Sequence, residues 1–415
     1  MLRGYKTELD LNNVQQTACL QYAGAARYAY NYGLTRAIAA RDAGEKRPSA
    51  IDLHKEIVAL KHTTHPWLWT VAKIVPQEAL RDLDTAFSNF FRKCKLKKTG
   101  KHQGKCGFPK FKKRSKAIGS FRMNGAIHVY PDRIQLPRLG VLRLKESNYL
   151  PTDCKVHSAT VSEKAGRWFV SVLVENEQGK PQVDNLDVIG VDLGIKQLAT
   201  LSDGTVFDNP KAMKKSAKKL QRLQRELSRR NKGGMNRRKT RAKIAKQHMR
   251  ISNIRKDAAH KLTTYLTSRY GMVAIEDLNV SGMLKNHKLA GAISDSNFGE
   301  IRRQITYKSR WCGGSVHLVS RWFPSSKMCS ACGSVKEKIT LSERTFICDV
   351  CGAVLDRDLN AAVNLRNEAL KNTVSSTGIY ACGEFGSGLL AAASETGLIE
   401  AGTNQHLEAM ALPCL

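Results

Sequence analysis

Asp187-Val-Ile-Gly-Val-Asp192-Leu-Gly194-Ile-Lys196 is an apolar run that stops on an acid and a glycine. With Leu198-Ala-Thr-Leu and the Asp203-Gly204 turn after it, the run predicts a β-meander closed by tight turns. Two later stretches match it: Met272-Val-Ala-Ile-Glu276, a strand pattern also ending on an acid, and Asp356-Arg-Asp358-Leu-Asn-Ala-Ala, leading into a helix expected from about Asn360 to Leu370. A lone acid at a strand end is ordinarily a solvated turn residue, and Asp358 alone reads as a helix N-cap. Three acids on separate elements around one sheet are instead what a two-metal phosphodiester site needs. There, carboxylates bridge two Mg²⁺ about 4 Å apart, one ion activating water and the other stabilising the leaving oxygen. Asp192, Glu276 and Asp358 are therefore the candidate catalytic and Mg²⁺-binding residues, with Mn²⁺ as a substitute ion.

Between the second and third acids lies Cys329-Ser-Ala-Cys332, a spacer, then Cys348-Asp-Val-Cys351, with Gly333 and Gly352 directly after the pairs. Each C-x-x-C places two thiolates on one turn, and four thiolates close a tetrahedral shell with no position left for a substrate. A structural Zn²⁺ held by Cys329, Cys332, Cys348 and Cys351 is the expectation. The other cysteines are scattered, which fits a reducing compartment better than a disulfide framework.

Lys and Arg number 68 against 36 Asp and Glu, a formal net charge of +32. Residues 92–116 and 211–250 carry +28 of it, so the protein is an ordinary globular chain with two concentrated cationic segments. Such focused charge tracks phosphates. The first segment holds Phe108-Pro-Lys110-Phe-Lys112-Lys113-Arg114, where rings alternate with cations and could stack bases while neutralising phosphates. The second spans a predicted helical hairpin, 209–268, whose Leu220, Leu223 and Leu227 form one seam and Ile244, Ile251, Ala258, Leu262 and Leu266 another, broken at Gly233-Gly234. Lys110, Lys112, Lys113, Arg114, Lys218, Lys219, Arg222, Arg229, Arg237, Arg238, Lys239 and Arg241 are the candidate nucleic-acid contacts.

Upstream, a strand over 3–9 precedes a long amphipathic helix and two further helices, Ala50 to Leu60 and Pro76 to Phe91. Short alternating runs from 118 to 177 predict a small antiparallel sheet or barrel. Residues 178–186 read as a polar linker, and the last part of the chain, poor in cations, as a mobile tail. No apolar run reaches about 18 residues and the start lacks a signal-peptide pattern, so neither membrane insertion nor secretion is expected, and the location is read as cytoplasmic. His62-Thr-Thr-His65 precedes Pro66 and has no third ligand, so it reads as a loop. Trp67, Trp69, Trp168, Trp311 and Trp322 are expected in core or rim packing, with Trp322-Phe323 beside Arg321 singled out for testing. Neither a P-loop, a Gly-x-Ser-x-Gly elbow, nor a helix-turn-helix is apparent.

Taken together, Val188-Ile-Gly-Val-Asp192-Leu-Gly194-Ile-Lys196, Ala274-Ile-Glu276-Asp-Leu-Asn279, Ser325-Ser-Lys-Met-Cys-Ser-Ala-Cys-Gly and Asp356-Arg-Asp358-Leu-Asn360-Ala-Ala resemble the transposon-encoded TnpB (OrfB) family, related to compact type V CRISPR nucleases. The likeness extends to Gly4-Tyr-Lys, Phe108-Pro-Lys-Phe-Lys, Ala381-Cys-Gly and Glu400-Ala-Gly-Thr-Asn. It implies an α+β multidomain protein: an RNase H-like (RuvC) α/β nuclease core with an inserted zinc ribbon, and an N-terminal β-barrel with an inserted helical region. The implied parts are a wedge-like barrel (1–10 and 105–180), a helical recognition region (11–104), a RuvC-like domain (186–324 and 353–372), the ribbon (325–352) and the tail (373–415). The family's three split acids match Asp192, Glu276 and Asp358, with Asp358 preferred over Asp356 and Glu276 over Asp277. The implied activity is RNA-guided, metal-dependent cleavage of double-stranded DNA matched to a guide RNA, beside a short motif read by the protein. A monomer bound to guide RNA and target DNA is the expected assembly. Competing readings are an unguided transposition or recombination accessory protein, a nuclease-inactive guided regulator, and a plain RNA-binding zinc-ribbon protein.

Overall fold

The computed structural model describes residues 2–115, 117–175, 187–340 and 343–374. The linker expected at 178–186 and the tail from 375 onward lie outside the described residues. The described residues divide into two compact units, 2–175 and 187–374.

The first unit begins with β1 (Leu2–Asp10), then α1 (Asn13–Asp42), α2 (Ala50–His62), a 3₁₀ turn over Pro66–Thr70, and α3 (Ile74–Lys98). Asn12 with Gln15, and Ser49 with Asp52, form reciprocal capping boxes at the starts of α1 and α2, so the amides exposed at each helix start are satisfied locally. Tyr22, Ala26, Ala29, Tyr30 and Leu34 of α1 are buried in one core with Leu80, Leu83 and Phe87 of α3. The strands β2 (Ser120–Met123), β3 (His128–Val129), β4 (Arg133–Leu136), β5 (Gly140–Leu144), β6 (Lys155–Lys164) and β7 (Arg167–Glu175) follow. They join β1 in the order β2-β6-β7-β1-β5-β4-β3, every pairing antiparallel. Alternation decides the buried face: Trp168, Val170, Val172 and Val174 all point into the core. Among the described residues the hydrogen-bonded series runs from β2 to β3 as a seven-stranded antiparallel sheet, within the sheet or barrel expected for 118–177.

The second unit contains β8 (Val188–Leu193), β9 (Gln197–Leu201), β10 (Val206–Asp208), α4 (Ala212–Arg229), α5 (Met235–Arg269), β11 (Met272–Glu276), α6 (Val280–Met283), α7 (Ala290–Ser296), α8 (Phe298–Trp311), β12 (Ser315–Val319), β13 (Thr345–Ile347), β14 (Val354–Asp356) and α9 (Arg357–Val374). Its main sheet has the order β10-β9-β8-β11-β12: the meander is antiparallel, whereas β8, β11 and β12 run parallel. Ile189, Val191, Val273 and Ile275 pack on one face against Ala259, Leu262 and Leu266 of α5 and Ile301 and Ile305 of α8. The other face takes α9. The hairpin α4–α5 has its own small core of Ala212, Leu220 and Ile251. The buried Asp295 of α7 accepts from the Met213 and Lys214 amides at the start of α4 and from Arg255 of α5, an anion placed at a helix N-terminus. No helix among the described residues is long and apolar enough to cross a membrane.

Candidate functional site

Strand alternation brings the first two acids together. Gly190 pairs with Ala274 and Val191 with Ile275 in the parallel β8–β11 register, and Asp192 and Glu276 come one step further along. Since successive side chains alternate, the acids share the face of Gly190 and Ala274, at the carboxyl end of the parallel strands. That face is the one α9 covers. The two small residues let a helix come close: a Cβ on residue 190 would lie 1.9 Å from the Ala362 carbonyl oxygen and 2.7 Å from the Arg366 nitrogen. The helix answers with small residues of its own, Ala361, Ala362 and Ala369, all buried. Asp358, in its first turn, is thereby brought up to Asp192.

The electrostatics record this proximity. Burial first, then the charges of Asp358 and Glu276, push the half-buried Asp192 carboxyl up to about 7. Burial and the neighbouring Asp277 raise Glu276 as well. Among the described residues neither Asp192 nor Glu276 has an ion-pair partner, whereas Asp358 lies 3.6 Å from Arg344 and 3.5 Å from Arg357. Asp192 thus sits among like charges, and carboxylate oxygens are the donor type that a hard divalent cation takes.

The neighbouring acids are otherwise employed. Asp277 is bound by Arg302 and Arg321, and the hydrogen bond from Arg321 leads the effects that lower its pKa. Asp356 accepts from the backbone N–H groups of Asp358 and Leu359 at 2.9 and 3.0 Å, which makes it the cap of α9. The cap role conceivable for Asp358 thus belongs to Asp356, and α9 starts three residues earlier than its apolar pattern predicts.

The cysteines converge more tightly. Among the described residues they are the one group of three or more potential metal ligands whose atoms all lie within 4.8 Å. The sulfurs of Cys329 and Cys351 are 3.7 Å apart and those of Cys332 and Cys348 3.5 Å. A tetrahedron with Zn–S bonds of about 2.3 Å has edges of about 3.8 Å, so the donor set fits a tetrahedral thiolate ion. Each turn closes on a glycine of positive φ, Gly333 at +79° and Gly352 at +71°, whose N–H returns to the carbonyl of the first cysteine of its pair. Hydrogen bonds from the Cys351 backbone, then from Ser334, draw the Cys348 thiol down to about 5.

Sequence reasoning gave no role to the residues that join the two clusters. Asn360 of α9 accepts from the Ser330 amide at 2.8 Å and donates to the Met328 carbonyl at 2.7 Å. Asn364 donates to the Ser325 and Met328 carbonyls at 2.8 and 2.7 Å. Both are buried. The helix bearing Asp358 is therefore sewn to the first cysteine turn, and the signal was the asparagine inside Asp358-Leu-Asn360-Ala-Ala.

Of the candidate phosphate contacts, Lys110, Lys113, Arg114, Lys218, Lys219, Arg222, Arg229, Arg238, Lys239 and Arg241 are exposed. Arg237 is half-buried and donates to the Leu227 and Arg230 carbonyls, where it closes the end of α4. The Lys112 ammonium lies 4.0 Å from the centre of the Tyr30 ring, and its backbone is clamped by Asn31. Trp168 is buried and Trp67 and Trp69 are partly exposed against neighbouring rings, the core or rim packing expected, whereas Trp322 stands in water. His62, the last residue of α2, and His65, just past it, pack edge-on against Trp69 and Trp67, so the expected loop begins only after His62.

The family described as "Probable transposase" matches residues 169–287, "Cas12f1-like, TNB domain" matches 298–365, and "Helix-turn-helix domain" matches 1–46. A Streptomyces pristinaespiralis protein named "Putative RNA-guided DNA endonuclease" is 36% identical over 91% of this chain and 92% of its own length. The Escherichia coli K12 protein named "Putative RNA-guided DNA endonuclease InsQ" is 34% identical over 92% of this chain and 94% of its own. The chain belongs to the TnpB (OrfB) family. Its mixed α/β multidomain fold resembles the protein in a structure titled "Cryo-EM structure of the Cas12f1-sgRNA-target DNA complex", with a TM-score of 0.50 and 14% identity over 86% of this chain and 84% of that one. The name of the match at residues 1–46 differs from the absence of a helix-turn-helix expected from the sequence. In this TnpB-family chain the stretch folds as β1 and one unbroken 30-residue helix, α1.

Proposed function

We propose that this protein is an RNA-guided, metal-dependent DNA endonuclease of a transposable element, hydrolysing DNA matched to its guide beside a short motif read by the protein. The observation that carries this reading is the convergence of Asp192, Glu276 and Asp358 on one face of the sheet, in a family whose relatives bear endonuclease names. The β10-β9-β8-β11-β12 order with α9 across one face supports an RNase H-like (RuvC) core over 186–324 and 353–372. A Zn²⁺ on Cys329, Cys332, Cys348 and Cys351 holds the ribbon at 325–352, and thereby the helix that bears Asp358. Two Mg²⁺ ions, or Mn²⁺ in their place, when bound by the three acids supply an activated water and screen the leaving oxygen. The chain's own part is positional: β8 and β11 fix two carboxylates in register, and α9 brings the third. The exposed cations of α4 and α5 and of 105–114 hold phosphates, while guide pairing reads sequence. The sheet at 1–10 and 105–180, in the role of the wedge-like barrel, and the helices over 11–104 hold guide RNA and heteroduplex. A monomer in the cytoplasm completes the reading.

The test is to purify the protein from cells carrying its native flanking DNA, sequence the RNA that copurifies, and assay the complex on matched and mismatched DNA with Mg²⁺ or EDTA. A discrete RNA from the element's end with matched-only, Mg²⁺-dependent cutting is expected. Heterogeneous RNA and no cutting overturns the reading in favour of a nucleic-acid-binding accessory protein.

A further inference from the structure

Tryptophan is a residue that folded chains bury well, yet Trp322 is 86% exposed, the most exposed large hydrophobic side chain among the described residues. It stands three residues past the end of β12, at the same carboxyl edge as Asp192 and Glu276, and β12 pairs Val319 with Glu276. The turn that carries it is firmly mounted. The Trp322 amide donates to the Ser320 hydroxyl at 3.3 Å and the Phe323 amide to the Ser320 carbonyl at 3.0 Å. On one side Arg321 is bound to Asp277, the residue after Glu276, which also takes Arg302. On the other the Ser325 carbonyl accepts from Asn364 of α9. A rigid turn thus holds an indole in water at the rim of the acid edge, beside two partly exposed guanidinium groups.

We infer that Trp322 is a stacking platform for one unpaired base of the DNA strand being cut, with Arg321 and Arg302 facing the adjoining phosphates. This rests on the endonuclease reading above. An aromatic face so presented takes any base that has left its helix, and it gains nothing from a base still stacked in a duplex. Trp322 would then seat the strand so that its phosphate meets the acids, a binding role rather than a catalytic one.

The experiment uses the guide-loaded full chain and matched targets in which an abasic nucleotide is placed in turn at each position around the mapped cut. In the wild type one abasic position should slow cleavage by about tenfold, within the range measured for aromatic stacking. Trp322→Ala should slow the intact target by a similar factor and be indifferent to that abasic position. Trp322→Phe should keep most of the rate and the sensitivity. A Trp322→Ala rate equal to wild type, or losses from substitution and abasic site that multiply, overturns the inference. So does a fall in thermal midpoint for Trp322→Ala, which would mark a packing role. A wild-type complex that fails to cut matched DNA overturns the endonuclease reading as well, and is distinguishable because no variant is then needed.

Discussion

The four cysteines and the three acids both gather anionic ligands, but the chain assembles them in opposite ways. Two local turns, Cys329 to Cys332 and Cys348 to Cys351, supply every thiol, and the sulfurs close on one another within 4.8 Å. The acids come from β8, β11 and α9, and only sheet register and helix packing bring them together. A shell closed on all sides stores stability and admits no substrate, whereas acids lined along a strand edge leave one side open to a phosphate. The comparison therefore predicts that damage to one cluster will be read in stability and damage to the other in turnover.

The largest effect should be Asp192→Ala, Glu276→Ala or Asp358→Ala, each lowering cleavage on the order of 10³-fold or more while leaving guide-complex affinity for matched DNA within about twofold. Single-turnover rates and filter binding measure the two sides. A parallel loss of binding would break the comparison by making the acids structural. Cys332→Ser should do the reverse in order: zinc content and thermal midpoint fall together, and cleavage follows because Asn360 and Asn364 tie α9 to the cysteine turn. Unchanged zinc by elemental analysis would refute the ribbon.

Gly190→Ala probes the joint on which the acid edge depends. The added methyl would enter the space of the Ala362 carbonyl, which belongs to helix backbone and can yield only if α9 moves away. Overpacking of this kind costs about 1–3 kcal/mol, and the displaced Asp358 should lower cleavage further than the stability loss alone explains. Denaturant melts beside rate measurements separate the two. A variant of wild-type stability and rate would show that α9 does not set the spacing.

How far the sequence foretold this arrangement depends on where each cause lies. The C-x-x-C pairs and their glycines were legible because their geometry is local, and β8 and β11 because short continuous apolar runs closed by an acid and turn residues read as buried strands. Gly190 was visible as a letter in Ile-Gly-Val but not as a contact, since its partner, Ala362, is remote in sequence. Arg237 looked like one more phosphate ligand because charge composition does not reveal that a guanidinium is closing a helix end. The same blindness applied to Asp295, one acid among 36 Asp and Glu, which turns out to cap the basic hairpin from α7. Trp322 alone among the tryptophans departs from core or rim packing, since the turn after Ser320 leaves its indole in water.

A smaller effect separates the acid edge's chemistry from its stability. Asp192 has a folded-state pKa raised to about 7, so its ionisation is disfavoured by the fold. In metal-free protein its favourable contribution is fully present below the unfolded carboxylate range and is lost as pH rises through about 7. Asp192→Asn, inactive in cleavage, should melt above wild type at pH 8 in EDTA and by a smaller margin at pH 5. Equal melting at both values would mean that the acids are too well solvated to strain one another.

The smallest change tests the choice between two neighbouring aspartates. Asp356 spends its carboxylate on the Asp358 and Leu359 amides, so Asp356→Ala removes an N-cap and should cost about 1 kcal/mol of stability. Cleavage should change only by the part that comes from a frayed first turn, and Asp356→Asn, whose amide oxygen can still accept from those N–H groups, should restore most of the stability. Asp358→Asn should behave in the opposite sense, with stability kept and turnover lost, because Asp358 caps nothing and its value lies in the charge it brings to Asp192. If Asp356→Asn proves as inactive as Asp358→Asn, the third ligand is Asp356 and the cap is incidental. The paired asparagine variants decide this where alanine cannot, since alanine at either position alters helix and charge together.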